Sequence, residues 1–214
     1  MNKVTLSFDN GPELLVTPGV LDCLAKYNLK ATFFVLGRKV SDPACARIAQ
    51  RARDEGHLIG NHTFSHTVPL GDLNREAALA EFQQTEDALA FLDQPERLFR
   101  PYGGKGSLGP HLLHPAVVER LRARRYTCVL WNSVPGDFRD PDGWVARALA
   151  DFRSRAWSLV VLHDLPTGAM AHLDGFLRQL TDDGAEVTRE FPPECTPMVD
   201  GTIVLPIDPY VQGS

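Results

Sequence analysis

The chain has 214 residues, 43% of them hydrophobic and 23% charged, with a formal net charge of −5. It is long enough for one globular domain with a substantial core. An acidic balance without clustered Lys and Arg excludes phosphate-backbone binding, so no nucleic-acid partner is expected. No apolar stretch approaches the roughly 18 residues a spanning helix needs, and the amino end shows no charged segment followed by an apolar one. Cys23, Cys45, Cys128 and Cys195 form no CxxC pair. A cytoplasmic protein is expected, without membrane insertion, a disulfide framework or a cysteine metal site.

Lys3 to Pro12, KVTLSFDNGP, alternates Val4, Leu6 and Phe8 with Thr5 and Ser7 and stops at Gly11-Pro12. This is the pattern of a strand that carries Asp9 at its carboxyl end. In parallel barrels and open sheets that end is where ligands bind, although Asp9 and Asn10 are also common turn-shaping residues. Thr17 and Pro18 open a helix whose apolar face is Val20, Leu21, Leu24 and Tyr27. ATFFVL, Ala31 to Leu36, reads as a strand buried on both sides. Ser41, Asp42 and Pro43 start a helix running to about Glu55, ended by Gly56. His57 to Gly60 is a third short strand leading into NHTFSH, and an amphipathic helix is expected from Asn74 to about Leu92.

Leu98 and Phe99 lead into RPYGG, Pro115 to Arg124 is helical, and Tyr126 to Trp131 is a fifth strand. Pro141 to Phe152 reads as helix, Ser158 to Leu162 as a sixth strand, Leu173 to Leu180 as helix and Ala185 to Thr188 as a short seventh strand. The Pro-rich segment from about Phe191 either wraps the body or is loosely held. Alternating strands and helices without a composition break predict one α/β domain over residues 1–214. Its expected form is a distorted, incomplete (β/α) barrel with about seven parallel strands. A barrel is favoured because Asp9, His62, Arg100, Trp131 and His163 each fall at or just after the end of a different strand.

His62 and His66 are four apart. If one helical turn forms there, their Cβ atoms are about 5 to 6 Å apart, close enough to share a metal at about 2.0 to 2.1 Å each. Without the glutamate of the HEXXH pattern, the pair by itself reads equally as surface helix. Arg100, at a strand end, can grip and orient a carboxylate such as Asp9. Gly103, Gly104 and Gly106 lie outside any phosphate-loop pattern and read as loop glycines. His163 ends an otherwise apolar strand, where a core histidine is the ordinary outcome. A carboxylate at Asp137, in the loop after the preceding strand, would orient its ring and make it a general acid. His57, His111, His114 and His172 read as ordinary residues.

SFDNGP, HTFSH, FRPYG, the Trp131 to Asp137 loop and VLHD occur in that order between Ser7 and Asp164. Together they closely resemble the five motifs of the NodB-homology polysaccharide deacetylases, also grouped as carbohydrate esterase family four. The resemblance implies a deformed barrel that removes N-linked acetyl groups from amino sugars, in a small molecule or an oligosaccharide, with a divalent metal, zinc being the expected ion. By that resemblance Asp9 is the general base, His62 and His66 are metal ligands, and Arg100 holds Asp9. Tyr102 supplies a backbone N–H to the oxyanion, Trp131 and Leu162 wall the acetyl pocket, and His163, oriented by Asp137, protonates the departing amine.

Asn10 departs from the pattern, standing where the family has a second aspartate as third metal ligand. A neutral amide oxygen there implies metal affinity weaker by about tenfold or more. RPYGG also lacks a second proline, and Phe138 replaces a common Trp. Two alternatives follow from Asn10: a metal-independent amidohydrolase in which His62, His66 and Asn10 bind a small amide directly, and a catalytically retired saccharide-binding protein.

Overall fold

A computed structural model describes residues 2–104 and 106–213 of the chain. The elements in chain order are β1 (Lys3–Asp9), α1 (Thr17–Lys26), β2 (Thr32–Val35), α2 (Gly37–Val40), α3 (Pro43–Asp54), β3 (Leu58–Asn61), α4 (Arg75–Ala88) and β4 (Leu98–Phe99). They continue with α5 (Pro115–Ala123), β5 (Thr127–Cys128), α6 (Trp144–Ser154), β6 (Trp157–His163), α7 (Leu173–Asp182), β7 (Glu186–Thr188), β8 (Met198–Val199) and β9 (Thr202–Ile203).

Among the described residues the strands form one sheet in the order β6-β1-β2-β3-β4-β5-β8-β9, with β7 also paired to β1. Pairing is parallel from β6 across to β5 and between β1 and β7, and antiparallel at β5-β8-β9. The result is the incomplete α/β barrel the alternating pattern predicts. A lone parallel bridge between Ser133 and Val160 brings the loop after β5 back to β6.

Strand alternation sorts β1 into two faces. Val4, Leu6 and Phe8 join Val20, Leu21, Leu24, Trp144, Phe176 and Leu177 in the core under the helices. Thr5, Ser7 and Asp9 turn the other way, where Thr5 Oγ1 donates to Glu190 O at 2.5 Å and Ser7 Oγ to Val160 O at 3.0 Å. β6 is sorted in the same way: Val160 and Leu162 belong to the helix-side core, whereas Val161 packs with Trp131, Phe99 and Leu130.

Several boundaries differ from expectation. The helix from Asn74 ends at Ala88 instead of about Leu92: Asn74 caps its start by accepting from Ala77 N, while Leu89 and Leu92 stay buried in the turn that follows. The fifth strand shrinks to Thr127–Cys128. Beyond it the Leu130 N–H donates to Cys195 O, and the Val129 and Leu130 carbonyls accept from Arg100, so these groups serve neighbours other than a strand ladder. The Pro-rich segment wraps the body: Cys195 and Met198 are buried, and β8 extends the sheet next to β5. No helix among the described residues is long and apolar enough to cross a membrane.

Candidate active site

Asp9 and His163 end two adjacent parallel strands and are direct register partners. In parallel pairing their side chains leave the sheet on the same face, so the register brings the base and acid candidates side by side. Asp9 is 4% exposed. Its Oδ1 accepts from Arg100 Nη1 at 2.7 Å. The fully buried guanidinium also donates to Ser7 Oγ at 2.8 Å and to the carbonyls of Val129 and Leu130 at 3.3 Å each, and it lies 4.0 Å from the centroid of the Phe34 ring. Arg100 can reach all of these because its own N–H pairs with Asn61 O, holding it just beyond β4.

His163 is held from two directions by one carboxylate. Asp137 Oδ2 accepts from the His163 backbone N–H at 2.7 Å, and Oδ1 lies 2.9 Å from ring Nδ1. A carboxylate can only accept, so Nδ1 carries the proton and Nε2 faces away from Asp137. Burial alone would lower the pKa of His163, but the Asp137 hydrogen bond and charge, with Asp9 and Asp164 behind them, hold it above the ordinary value. That favours the protonated ring a general acid needs.

His62 and His66 converge with ring centroids 4.8 Å apart, but not on a helical turn. Thr63 and His66 adopt φ of 68° and 55°, so the segment doubles back through left-handed residues. The His66 ring packs at 3.8 Å on Tyr102. His62 Nδ1 lies 2.8 Å from Arg100 O, a pure acceptor, so that nitrogen is the protonated one. Nε2 is left with its lone pair 3.5 Å from Asp9 Oδ2. Burial pushes His62 down from its usual pKa. His66 is pushed to about 2, chiefly by burial. Both rings are therefore neutral and have the lone pairs that metal ligation requires.

Among the described residues Asn10, at φ 75°, has a buried Oδ1 without a hydrogen-bond partner. Among the described residues no group of three His, Cys, Asp or Glu side chains forms a metal cage. The donor set beside Asp9 is instead two imidazoles and this orphaned amide oxygen. All three residues line the same cavity, and a buried amide oxygen together with two neutral imidazoles fits a divalent cation held with less charge than an aspartate would give.

The cavity has a volume of about 250 Å³ and is lined by Asp9, His62, His66, Trp131, Val161 and His163. Trp131 is pinned by its indole Nε1, which donates to Gly106 O at 2.9 Å. Its ring edge packs on Gly103, where a Cβ would collide with it. Leu162, expected as a wall, is fully buried in the helix-side core, and Val161 lines the cavity instead. The period of two along β6 sends odd and even residues to opposite faces, and only the odd ones share a face with His163. Val134, Phe138 and Leu165 complete the apolar lining, with the Phe138 ring edge-on to His163 at 4.7 Å.

Three positions given no role from sequence support these groups. Asn61 Oδ1 accepts from Thr63 N at 3.0 Å. Glu81, on α4, accepts from the backbone of Phe64 and Ser65. Asp164, fully buried, has its pKa raised to about 6 by burial; it accepts from Thr17 Oγ1 and packs so closely on Gly11 that any side chain there would strike its carboxylate. Nothing in linear spacing marks Glu81, whose partners lie 16 and 17 positions away; Asp164 ends the VLHD motif, but its partner Thr17, at the start of α1, is 147 positions away.

The family model described as polysaccharide deacetylase matches residues 1–109, a span that carries Asp9, Asn10, His62, His66 and Arg100. The chain belongs to the polysaccharide deacetylase family. It is 49% identical over 135 residues to peptidoglycan-N-acetylmuramic acid deacetylase PdaA of Bacillus subtilis (strain 168), covering 60% of this chain and 46% of that protein. It is 32% identical over 164 residues to a chitooligosaccharide deacetylase of Rhizobium leguminosarum bv. trifolii, covering 76% of this chain and 71% of that one. A solved structure of T48 deacetylase with substrate superposes with a TM-score of 0.71 at 31% identity, covering 90% of this chain and 94% of that chain. The chain spans 37% of the length of some curated relatives it matches and 72% of others.

Proposed function

We propose that this polysaccharide deacetylase family member hydrolyses the N-acetyl group of an amino sugar. The observation that carries the reading is the side-by-side register of Asp9 and His163 at one cavity, each with its own buried partner, Arg100 and Asp137. His62, His66 and Asn10 would hold a divalent cation, with zinc as the expected ion. When bound, that ion supplies electrostatic polarisation of the scissile amide carbonyl.

Asp9, kept in place by Arg100, accepts a proton from the attacking water. The Tyr102 backbone N–H donates to the developing oxyanion, and Trp131, Val161 and Leu165 enclose the acetyl methyl and exclude bulk water. His163 then donates its proton to the amine nitrogen as the carbon–nitrogen bond breaks. Each proton transfer contributes about 10² to 10⁴ in rate. Both an N-acetylmuramic acid unit of peptidoglycan and a chitooligosaccharide suit the reading, since relatives named for each align with the chain.

The test is product release from a panel of N-acetylated sugars by the purified chain and by D9N and H163A variants. Near-complete loss in both variants with unchanged far-UV circular dichroism is expected. More than half the activity remaining in either would remove that residue's role. Asn10, a neutral donor among the candidate ligands, favours a second reading in which the same pocket works without metal or only binds saccharide. Full activity after chelation points to the former, and binding without acetate release to the latter.

A further inference from the structure

The half-buried Glu81, on the inner side of α4, makes three hydrogen bonds with one carboxylate. Oε2 accepts from the backbone N–H groups of Phe64 and Ser65 at 2.9 and 2.8 Å, and Oε1 from Ser65 Oγ at 2.6 Å. These bonds fall on the segment between His62 and His66, and they close a loop whose two ends are conformationally costly. Thr63 and His66 have φ of 68° and 55° without being glycine, at about 1 to 2 kcal/mol each. Thr63 N is tied to Asn61 Oδ1 at 3.0 Å, and Asn61 itself is anchored by its Nδ2 to Phe82 O at 3.0 Å, one residue from Glu81. Next to the loop, Gly37 N and Arg38 N donate to Thr63 O and Phe64 O.

We propose that Glu81 is a positioning residue for the candidate metal site: its carboxylate holds the left-handed 63–66 turn so that the His66 ring faces the His62 ring. The proposal rests on the metal reading given above. His62 has independent anchorage, since its Nδ1 is fixed on Arg100 O and its backbone N–H on Val35 O. Among the described residues the His66 ring nitrogens make no hydrogen bond to another residue comparable to that of His62; its ring is located by the backbone turn and by packing on Tyr102. Loss of the Glu81 bonds therefore lets the turn relax out of the left-handed region and moves His66 more than His62. Removing a group that supports a metal ligand from outside typically costs about 10- to 100-fold in metal affinity.

The experiment is calorimetric titration of zinc into metal-free wild type, E81A and E81Q, with thermal unfolding of each metal-free protein alongside. Wild type is expected to bind one zinc ion. E81A is expected to bind about 10- to 100-fold more weakly, with activity returning when zinc is raised to saturation. E81Q is expected to fall between the two, because one amide oxygen can replace only part of the carboxylate's accepting capacity. Equal zinc affinity in wild type and E81A would overturn the role of Glu81 and leave the metal reading standing. Absence of zinc binding to wild type would instead sink the reading beneath it. If E81A does not fold, E81Q decides by the same criterion, affinity equal to wild type overturning the role and a weaker one supporting it.

Discussion

Replacing Arg100 by methionine removes every donor of the guanidinium while keeping most of its apolar stem. Four hydrogen bonds are lost, to Asp9 Oδ1, Ser7 Oγ, Val129 O and Leu130 O, along with the cation over the Phe34 ring. Both partners of the ion pair are out of water, Arg100 at 0% and Asp9 at 4% exposure. Asp9 is then a buried charge without its cation, and breaking such a pair from one side costs about 3 to 5 kcal/mol. For a chain of this size that is a fall of about 6 to 20 °C in melting temperature, taking about 2 to 4 °C per kcal/mol. The measurement is urea and thermal unfolding of R100M, D9N and the double variant. The double variant should be more stable than R100M, since neutralising Asp9 removes the orphaned charge. A loss below about 1 kcal/mol in R100M, at the level of an exposed pair, or a double variant less stable than R100M, would refute the view that the pair is a desolvated unit.

Three further outcomes are expected. D137N should lower kcat by about tenfold or more and move the basic limb of the pH–rate profile to lower pH, because His163 is held above its ordinary pKa by Asp137 and must be protonated to act; an unmoved limb on a pH series would exclude His163 as the acid. N10D should tighten zinc binding by about tenfold or more, read by calorimetry, since Asp tolerates the φ of 75° at this position about as well as Asn and adds charge to the donor set. His57 is 1% exposed, and burial lowers its pKa from 6.5 to about 4. Its neutral form therefore favours the fold above pH 6.5, and about 3 kcal/mol is lost as pH falls to about 4. His57→Asn, which keeps an acceptor for the Ala31 N–H that now donates to Nδ1, should flatten that part of the stability profile, and equal slopes in urea titrations at each pH would show that His57 does not carry it.

The strands and helices were legible because their signals are local. Val4, Leu6 and Phe8 alternate with polar neighbours, Asp42 accepts from Ala44 N at the start of α3 as a capping aspartate should, and Gly56, at φ 88°, follows its end. The pairing of Asp9 with Arg100 and of His163 with Asp137 was also open to chemical reasoning, because opposite charges at strand ends on one rim have few other places to go. Even the exchange of Leu162 for Val161 at the cavity wall follows from a period of two counted back from His163.

The sequence by itself determined which residue types reach the carboxyl ends of the strands and that those ends share one rim. Only the tertiary structure decided how His62 and His66 meet. Their spacing suggested a helical turn, but the chain instead bends through two left-handed residues held by Glu81 from a helix 16 or 17 positions away. It also decided that β5 stops short, since the groups that would extend it are taken by Arg100 and by the returning Cys195 segment. The physical reason is common to both. Backbone hydrogen bonds made to distant side chains compete with local helix and strand pairing, and their partners are defined only once the sheet has curled and brought them within reach.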